Sequence, residues 1–324
     1  MRLLRVELSR LFSRRAVALL LLAAAALTVL VTATTIWGTR PVSAGELASA
    51  RAQVREQIAQ PGFQQDLRNC QQNPEEFFGP GTSADECERS LTPTTANYLT
   101  RAPLSLAVEL ESNGLAVVVI VTAVMIIVGT TYAGADWATG SMGNQLLFEP
   151  RRGRVWLAKA VAVTLGCLGA ALVLVAGFWV ALYVTAGVRG YSPAASVLRD
   201  VGWSGARAVL LAGVAGLGGY ALSMLLRSTV ATLALLFAYA AAGEALVPLL
   251  PVDRSSTWSL GNNIFAWLRD GVRVYDDSVV CRPTQPDCVQ QLTVSLSHGV
   301  VYLSVLLLVT LLVSVLLFRR RDVP

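Results

Sequence analysis

The segment Leu115 to Tyr132 reads LAVVVIVTAVMIIVGTTY and carries no charged side chain. A hydrocarbon core about 30 Å thick needs roughly 20 apolar residues at a helical rise of 1.5 Å each. Five further apolar runs of about this length occur, and the chain is 54% hydrophobic but only 15% charged, against about 25% charged in soluble domains. The sequence therefore predicts an all-α polytopic membrane protein with six transmembrane helices.

The six runs divide the chain into spans and connecting segments. The first run could be a secretory signal, but its 22 residues exceed the roughly 7 to 15 of a signal core, and we expect it to be retained. The predicted order is a cytoplasmic interfacial helix at 1–15, span 1 at 16–37, an external cap at 38–113, span 2 at 114–135, a cytoplasmic coupling helix and loop at 136–154, span 3 at 155–187, an external loop at 188–205, span 4 at 206–226, span 5 at 229–250, an external re-entrant or gate segment at 251–298, span 6 at 299–318 and a cytoplasmic tail at 319–324.

The basic residues predict the orientation of the spans. Short loops on the cytoplasmic side of a membrane are rich in lysine and arginine. With both termini cytoplasmic, the inner segments carry thirteen of the 26 basic residues and four acidic ones, Glu7, Asp136, Glu149 and Asp322. The thirteen are Arg2, Arg5, Arg10, Arg14, Arg15, Arg151, Arg152, Arg154, Lys159, Arg227, Arg319, Arg320 and Arg321.

In the segment 2–12, four leucines and Phe12 are interspersed with three arginines and Glu7. This pattern favours a basic amphipathic helix lying at the membrane surface. A basic flank that only stops translocation is the alternative. Between spans 4 and 5 only Arg227 and Ser228 intervene, which predicts a tight helical hairpin.

Four of the five cysteines fall in the two long external segments. The compartment outside the membrane is oxidising, and a disulfide forms most readily between cysteines that are close together in the chain. We therefore predict disulfides Cys70–Cys87 and Cys281–Cys288, with free thiols as the alternative; Cys167 lies within a span. In the cap, helical spacing favours helices at 44–60 and 104–111, and the Pro, Gly and acidic residues of 69–93 favour a loop.

Several kinds of chemistry are excluded by composition. The chain has one lysine, Lys159, and no GxxxxGK[ST] loop precedes it, so no nucleotide-hydrolysing site is expected. The single histidine, His298, excludes two-histidine metal sites in one chain. Glu244 lies roughly 22 Å along span 5, which predicts a position near its outer end, interfacial or in contact with a partner. We expect neither an enzyme nor a metal site.

The segment Asp136 to Lys159, DWATGSMGNQLLFEPRRGRVWLAK, is polar and then basic between two apolar runs. Its Gly-Ser step at Gly140, its leucine pair, its Pro-Arg-Arg sequence and its lysine resemble a pattern in permease subunits of type-2 ATP-binding-cassette (ABC) exporters. The resemblance implies a short helix over 136–149 that docks on a separate ATPase subunit. The coupling residues it implies are Asp136, Gly140, Leu146, Leu147, Phe148, Pro150, Arg151, Arg152 and Arg154.

The resemblance has further implications. It implies a second permease chain, identical or different, in a dimer, and contacts with membrane lipids; no nucleic-acid partner is expected. This chain would bind no cofactor, while ATP and Mg would bind to the partner ATPase. It also implies that a short helix before the last span helps to form an external gate, through Ile264, Phe265, Trp267 and Leu268. A surface helix that packs on its neighbours fits the same i, i+3, i+4 spacing.

We therefore expect a permease that exports a hydrophobic or amphiphilic compound, such as a drug, a peptide or a lipid-linked molecule. The excess of arginine over lysine is typical of a GC-rich bacterial genome, which predicts the bacterial plasma membrane. The alternative is a membrane scaffold or sensor whose disulfide-bonded cap binds an extracellular partner. A secondary transporter is less favoured, because neither repeated halves nor midplane charges are evident.

Overall fold

A computed structural model describes residues 2–79, 82–99, 101–249, 252, 254–276, 279 and 290–320. Short 3-10 or π turns lie at Thr95–Tyr98, Tyr239–Gly243, Val247–Leu249 and Ser255–Trp258, and the strands are β1 (Val272–Tyr275) and β2 (Gln291–Val294). The helices are α1 (Arg2–Ser13), α2 (Arg15–Gly38), α3 (Ala44–Ala59), α4 (Pro61–Gln72), α5 (Pro74–Phe78), α6 (Ala84–Leu91), α7 (Leu106–Glu111), α8 (Asn113–Ala138), α9 (Ser141–Phe148), α10 (Arg152–Val188), α11 (Ala195–Leu226), α12 (Thr229–Ala238), α13 (Glu244–Leu246), α14 (Leu260–Arg269) and α15 (Leu296–Arg320).

Six helical stretches of the described chain are long and apolar enough to cross a membrane. Large apolar side chains on them, such as Leu19, Val173 and Leu306, are exposed. Exposed apolar surface of this extent is stable only against lipid or another protein chain. The predicted all-helical class and the multi-pass membrane protein are therefore confirmed. The stretches are Arg15–Gly38, Leu106–Ala138, Arg152–Val188, Ala195–Leu226, Thr229–Leu246 and Leu296–Arg320.

Two of these helices are longer than a bilayer requires. α10 has 37 residues, which corresponds to roughly 55 Å at 1.5 Å per residue. α11 begins at Ala195, so most of the loop predicted at 188–205 is helical. The charged residues Arg199 and Asp200 lie on this helix, because a helix that extends beyond the hydrocarbon core can carry them in water. The predicted hairpin is confirmed, because Arg227 ends α11 in the left-handed region, at φ +55°.

The chain divides into two units, the first formed by Met1–Thr32, Leu106–Val184 and Pro193–Pro324, and the second by Ala33–Ser105 and Thr185–Ser192. In the second unit, Ser43 and Glu46 form a capping box at the start of α3, and Arg101 pairs with Glu46 at 2.8 Å. The Ser43 and Glu46 side chains fix the start of α3, because they accept hydrogen bonds from backbone N–H groups that have no partner within the helix.

The disulfide Cys70–Cys87 is confirmed, and it joins α4 to α6. The loop predicted over 69–93 is wrong, since the end of α4 and all of α5 and α6 lie within it. Proline occupies the first helical position of α5, where it stabilises a helix start instead of breaking a helix. The second predicted pair, Cys281 and Cys288, lies outside the described residues.

The middle of the first unit is closely packed where α8 meets α11. A methyl group added at Gly129 would lie 1.9 Å from the carbonyl oxygen of Gly216, and one at Gly219 would lie 2.4 Å from that of Ile126. Small residues let helix backbones approach each other closely in membranes. Any side chain at these positions must force the two helices apart.

The fifth span changes from α-helical to π-helical geometry before its end. α12 gives way to the π turn Tyr239–Gly243, and Glu244 follows it. The Glu244 carboxylate accepts hydrogen bonds from Tyr239 (3.0 Å), Ser259 (2.5 Å) and the backbone N–H of Gly261 (2.8 Å). Its partners thus lie within the chain, one in the π turn and two at the start of α14.

An antiparallel hairpin follows α14, with Val274 of β1 opposite Leu292 of β2. The sequence interpretation contained no strand, so the hairpin is an addition to the predicted all-helical architecture. Its buried side chains, Val274 and Val294, pack against Ala266 of α14.

Candidate functional site

The coupling segment is a short helix set off from span 2 by a sharp turn. Gly140 has φ +68° and precedes α9, a backbone conformation that glycine adopts without the strain of a Cβ atom. The predicted helix over 136–149 is therefore too long at its start. Asp136 belongs to the last turn of α8, not to the short helix.

The end of α9 exposes two large apolar side chains. Leu147 is 80% exposed and Phe148 is 91% exposed, whereas Met142 in the first turn is buried and Leu146 is partly buried. Pro150 ends the segment immediately after Glu149. The helix is thus packed on the protein at one end and presents an apolar tip at the other.

Beneath α9 lies a group of ionisable side chains, which we call the charge cluster. Four are buried, Glu7 of α1, Tyr132 and Asp136 of α8, and Lys159 of α10, and the fifth, Arg14, is partly buried. Lys159 is 0% exposed and Asp136 is 1% exposed. The Lys159 Nζ atom lies 2.7 Å from Asp136 Oδ2 and 3.0 Å from Glu7 Oε2. One ammonium group therefore bridges two carboxylates that come from different helices.

Two further groups complete the charge cluster. Arg14, in the single-residue break between α1 and α2, donates to Asp136 and, at 2.7 Å, to the carbonyl oxygen of Tyr132. The Tyr132 hydroxyl donates to Glu7, and the Arg14 guanidinium lies 4.8 Å from the centre of the Tyr132 ring. Every charge in the cluster thus has an opposite charge and a hydrogen-bond partner, as buried ions require.

The charge cluster is joined directly to the coupling helix. Gln145 of α9 donates to Glu7, and Ser141 of α9 donates to Asp136 Oδ1 at 2.7 Å. A displacement of α9 must therefore alter hydrogen bonds to α1 and α8, and through Lys159 to α10. This connection is the main mechanical feature of the site.

Glu7 lies outside the candidate spans, and its ionisation is set by the cluster. Burial favours the neutral acid, but the charge of Lys159 and hydrogen bonds from Tyr132, Lys159 and Gln145 outweigh it and lower the pKa of Glu7 below its ordinary value. Glu7 is therefore a carboxylate at neutral pH.

The arginines of the coupling segment form a shallow basic cavity beside α9. Arg151 and Arg154 are exposed, and Arg154 lies 3.7 Å from Glu149. Arg152 donates to the carbonyl oxygen of Arg319, at 3.4 Å. The cavity, of about 500 Å³, is lined by Pro150, Arg151, Arg152, Gly153, Arg154 and Arg319.

The predicted gate residues all lie on α14, which packs on the helices of the first unit. Leu268 is buried, while Ile264, Phe265 and Trp267 are partly buried. The indole of Trp267 donates to the carbonyl oxygen of Arg207 in α11, at 2.9 Å. This arrangement matches the alternative in which the helix packs on its neighbours, and a gating role stays a prediction.

The sequence analysis gave Asp136 as a coupling residue and Lys159 as part of the coupling segment, but it predicted no buried ion group. It gave Glu7, Arg14 and Tyr132 no role in the site. One signal was available. Lys159 lies inside an apolar run, where a lone charge is expensive and needs a partner. The carboxylates that could neutralise it were those at the ends of neighbouring runs, Glu7 and Asp136.

Among the described residues, no group of three or more histidine, cysteine, aspartate and glutamate side chains could hold a metal ion. Comparison with known proteins identifies no relative: no family model, no curated protein and no solved structure matches the chain.

Proposed function

We propose that this chain is the transmembrane permease subunit of an ABC exporter, and that it acts in a dimer of permease chains driven by separate ATPase subunits. One observation carries the proposal. The tip of α9 exposes Leu147 and Phe148, while the helix behind the tip is fixed by hydrogen bonds from Ser141 and Gln145. A segment that transmits movement from a partner must combine an exposed contact with a rigid attachment.

The chemistry of the tip fits a protein groove. Two large apolar side chains buried on binding would contribute on the order of 1.5 to 3 kcal/mol each. Arg151 and Arg154 follow close behind them and would pair with acidic groups at the rim of such a groove. In this proposal ATP and Mg bind to the partner subunit, in keeping with a sequence that contains no phosphate-binding loop.

The charge cluster supplies a path from the tip to the spans. ATP-driven movement of α9 would shift Ser141 and Gln145 and so bias the positions of Asp136 and Glu7. Because buried ion pairs tolerate little separation, α8, α10 and α1 would move with them. Such a rearrangement at the interface of two permease chains would alternate access for a hydrophobic or amphiphilic substrate.

The basic residues near α9 support an orientation with both termini and the coupling helix in the cytoplasm. Together with the arginine-rich composition, this points to the plasma membrane of a bacterium. The exposed apolar faces of the spans leave room for lipid and for a second permease chain.

The test is co-purification from the native host in lipid nanodiscs, comparing the wild type with Leu147→Asp. The matched control is Phe78→Asp, which places the same charge at an exposed apolar residue of the disulfide-bonded unit. We expect an ATPase subunit with the wild type and with the control, and its loss or an uncoupled ATP hydrolysis with Leu147→Asp. An ATPase that stays bound and coupled to Leu147→Asp would contradict the docking role, and its absence from the wild type would contradict the exporter.

A second candidate function, a scaffold or sensor, is favoured by one observation. α5, between the helices that the disulfide joins, exposes Phe77 and Phe78. Under this alternative Phe78→Asp would release an extracellular partner, while Leu147→Asp would have no effect on the proteins that co-purify.

A further inference from the structure

A cavity lies at the opposite ends of α8, α10 and α11 from the charge cluster. Lys159 and Trp179 are both on α10, and twenty residues of helix separate them, which is roughly 30 Å. The cavity has a volume of about 500 Å³, within the range of about 300 to 1,000 Å³ typical of ligand sites. Its wall also includes Leu268 and Arg269 of α14.

The lining combines aromatic rings with carboxylates. Trp179 and Trp203 contribute indoles, and Leu115, Val118 and Leu268 contribute apolar surface. Three carboxylates face two guanidinium groups, so the lining carries a net negative charge: Glu111, Asp200 and Asp270 against Arg207 and Arg269.

The two arginines do not neutralise all of the acidic groups. Arg207 pairs with Asp270 at 3.2 Å. Arg269 donates to the backbone carbonyl of Glu111 rather than to its carboxylate, and its guanidinium lies 5.8 Å from the ring centre of Phe265. Within the described part of the chain, no ion pair joins Glu111 or Asp200 to an arginine of the cavity; Asp200 has only the neighbouring exposed Arg199, at 3.9 Å.

We propose that this cavity binds a monovalent organic cation with a bulky apolar body. Indole faces attract a cation through their quadrupole, and the carboxylates of Glu111 and Asp200 add an opposite charge. The apolar body of the ligand would lie against Leu115, Val118 and Leu268. An anion of the same shape would be repelled by the same groups. The site is independent of the proposed exporter function, since it requires no ATPase.

The test uses the full chain in nanodiscs, without any partner, and measures equilibrium binding of tetraphenylphosphonium above the level of empty nanodiscs. Tetraphenylborate, with nearly the same shape and the opposite charge, is the matched ligand. We expect saturable binding of the cation only, weakened about tenfold or more by the double variant Glu111→Gln/Asp200→Asn. Glu88→Gln, at an exposed carboxylate of α6, is the control and should bind as the wild type does.

A second variant tests the cavity without changing its charge. A methyl group added at Gly205 would meet only Val175 at 3.8 Å and Trp179 at 4.0 Å, so Gly205→Leu can be accommodated at its Cβ while its longer side chain fills the cavity. It should abolish cation binding and leave the thermal unfolding midpoint near that of the wild type.

The proposal is overturned if the wild type shows no saturable binding, if tetraphenylborate binds as tightly as the cation, or if neither variant weakens binding. The absence of an ATPase subunit from the wild-type protein purified from the native host would contradict the exporter alone and would leave the cation site untouched.

Discussion

The two ends of α8, α10 and α11 hold their charged residues in different ways. At one end, Lys159 is bridged between Glu7 and Asp136 with no solvent contact. At the other end, charges line an open cavity, and Asp270 of the Arg207 pair is 67% exposed. The difference teaches that one set of helices can contain one end whose charges are buried and compensated within the protein, and another end whose charges are exposed and carry an acidic excess.

The largest expected effect concerns Lys159→Met, which removes the buried cation that bridges Glu7 and Asp136 and leaves Asp136 paired with Arg14 alone. Removing one partner of a buried ion group costs about 3 to 5 kcal/mol. We expect a strong loss of folded protein, measured as the fraction that elutes as a single species from size-exclusion chromatography and as the midpoint of thermal unfolding. The added changes Glu7→Gln and Asp136→Asn should restore part of the stability. An unchanged midpoint for Lys159→Met would show that the cluster is not compensated as described.

The next effect concerns helix packing between the two ends. Gly129→Ala places a methyl group against the backbone of α11, at 1.9 Å from the Gly216 oxygen, and overpacking of this kind costs about 1 to 3 kcal/mol or more. Gly205→Ala is the matched control, since its methyl group meets nothing closer than 3.8 Å. We expect a lower thermal midpoint for Gly129→Ala only. Equal midpoints for the two variants would rule out close packing of α8 on α11.

A smaller effect should appear on acidification. The pKa of Glu7 in the folded chain is lowered from 4.5, so its contribution to stability is fully present above that value and is lost as the pH falls through the lowered folded-state pKa. We expect the thermal midpoint of the wild type to fall more steeply below about pH 4.5 than that of Glu7→Gln, when both are followed by tryptophan fluorescence. Parallel pH profiles would contradict an ionised Glu7 in the cluster.

The smallest expected effect on stability concerns the end of the helices that carries the open cavity. Asp270→Asn removes an exposed partner of Arg207 and should change the free energy of unfolding by less than about 1 kcal/mol. Asparagine also tolerates the left-handed backbone at this position, where φ is +63°. A destabilisation as large as that of Lys159→Met would remove the distinction between the two ends.

Much of the architecture was predictable from local sequence. The apolar runs gave all six helices, because an uncharged stretch of spanning length has few alternatives in a chain of this composition. The disulfide Cys70–Cys87 followed from proximity along the chain. The cap was harder, since the prolines of 69–93 were taken as loop signals although Pro74 starts a helix. The sequence interpretation used no signal for the π turn Tyr239–Gly243 in span 5 or for the β1–β2 hairpin.

In the candidate site, too, features carried by a contiguous stretch of sequence were predicted, and features that join distant residues were not. Gly140, Leu147 and Phe148 were identified from a contiguous motif, and the structure exposes the two apolar side chains. The charge cluster was missed, because Glu7, Tyr132 and Lys159 are separated by more than a hundred residues at the extremes and meet only when three helices pack together. A sequence pattern can show that Lys159 needs a partner, but not which carboxylate reaches it.

The amino-acid sequence by itself determined the number of spans, the charge bias of the connecting segments and the local disulfide, because each depends on residues close together in the chain. Tertiary structure alone decided that Glu7 and Asp136 share one lysine, that Gln145 attaches α9 to α1, and that tryptophans and an excess of carboxylates line one cavity. These features depend on distances between helices. Those distances are set in part by small residues such as Gly129 and Gly216, which allow the helix backbones to approach each other closely.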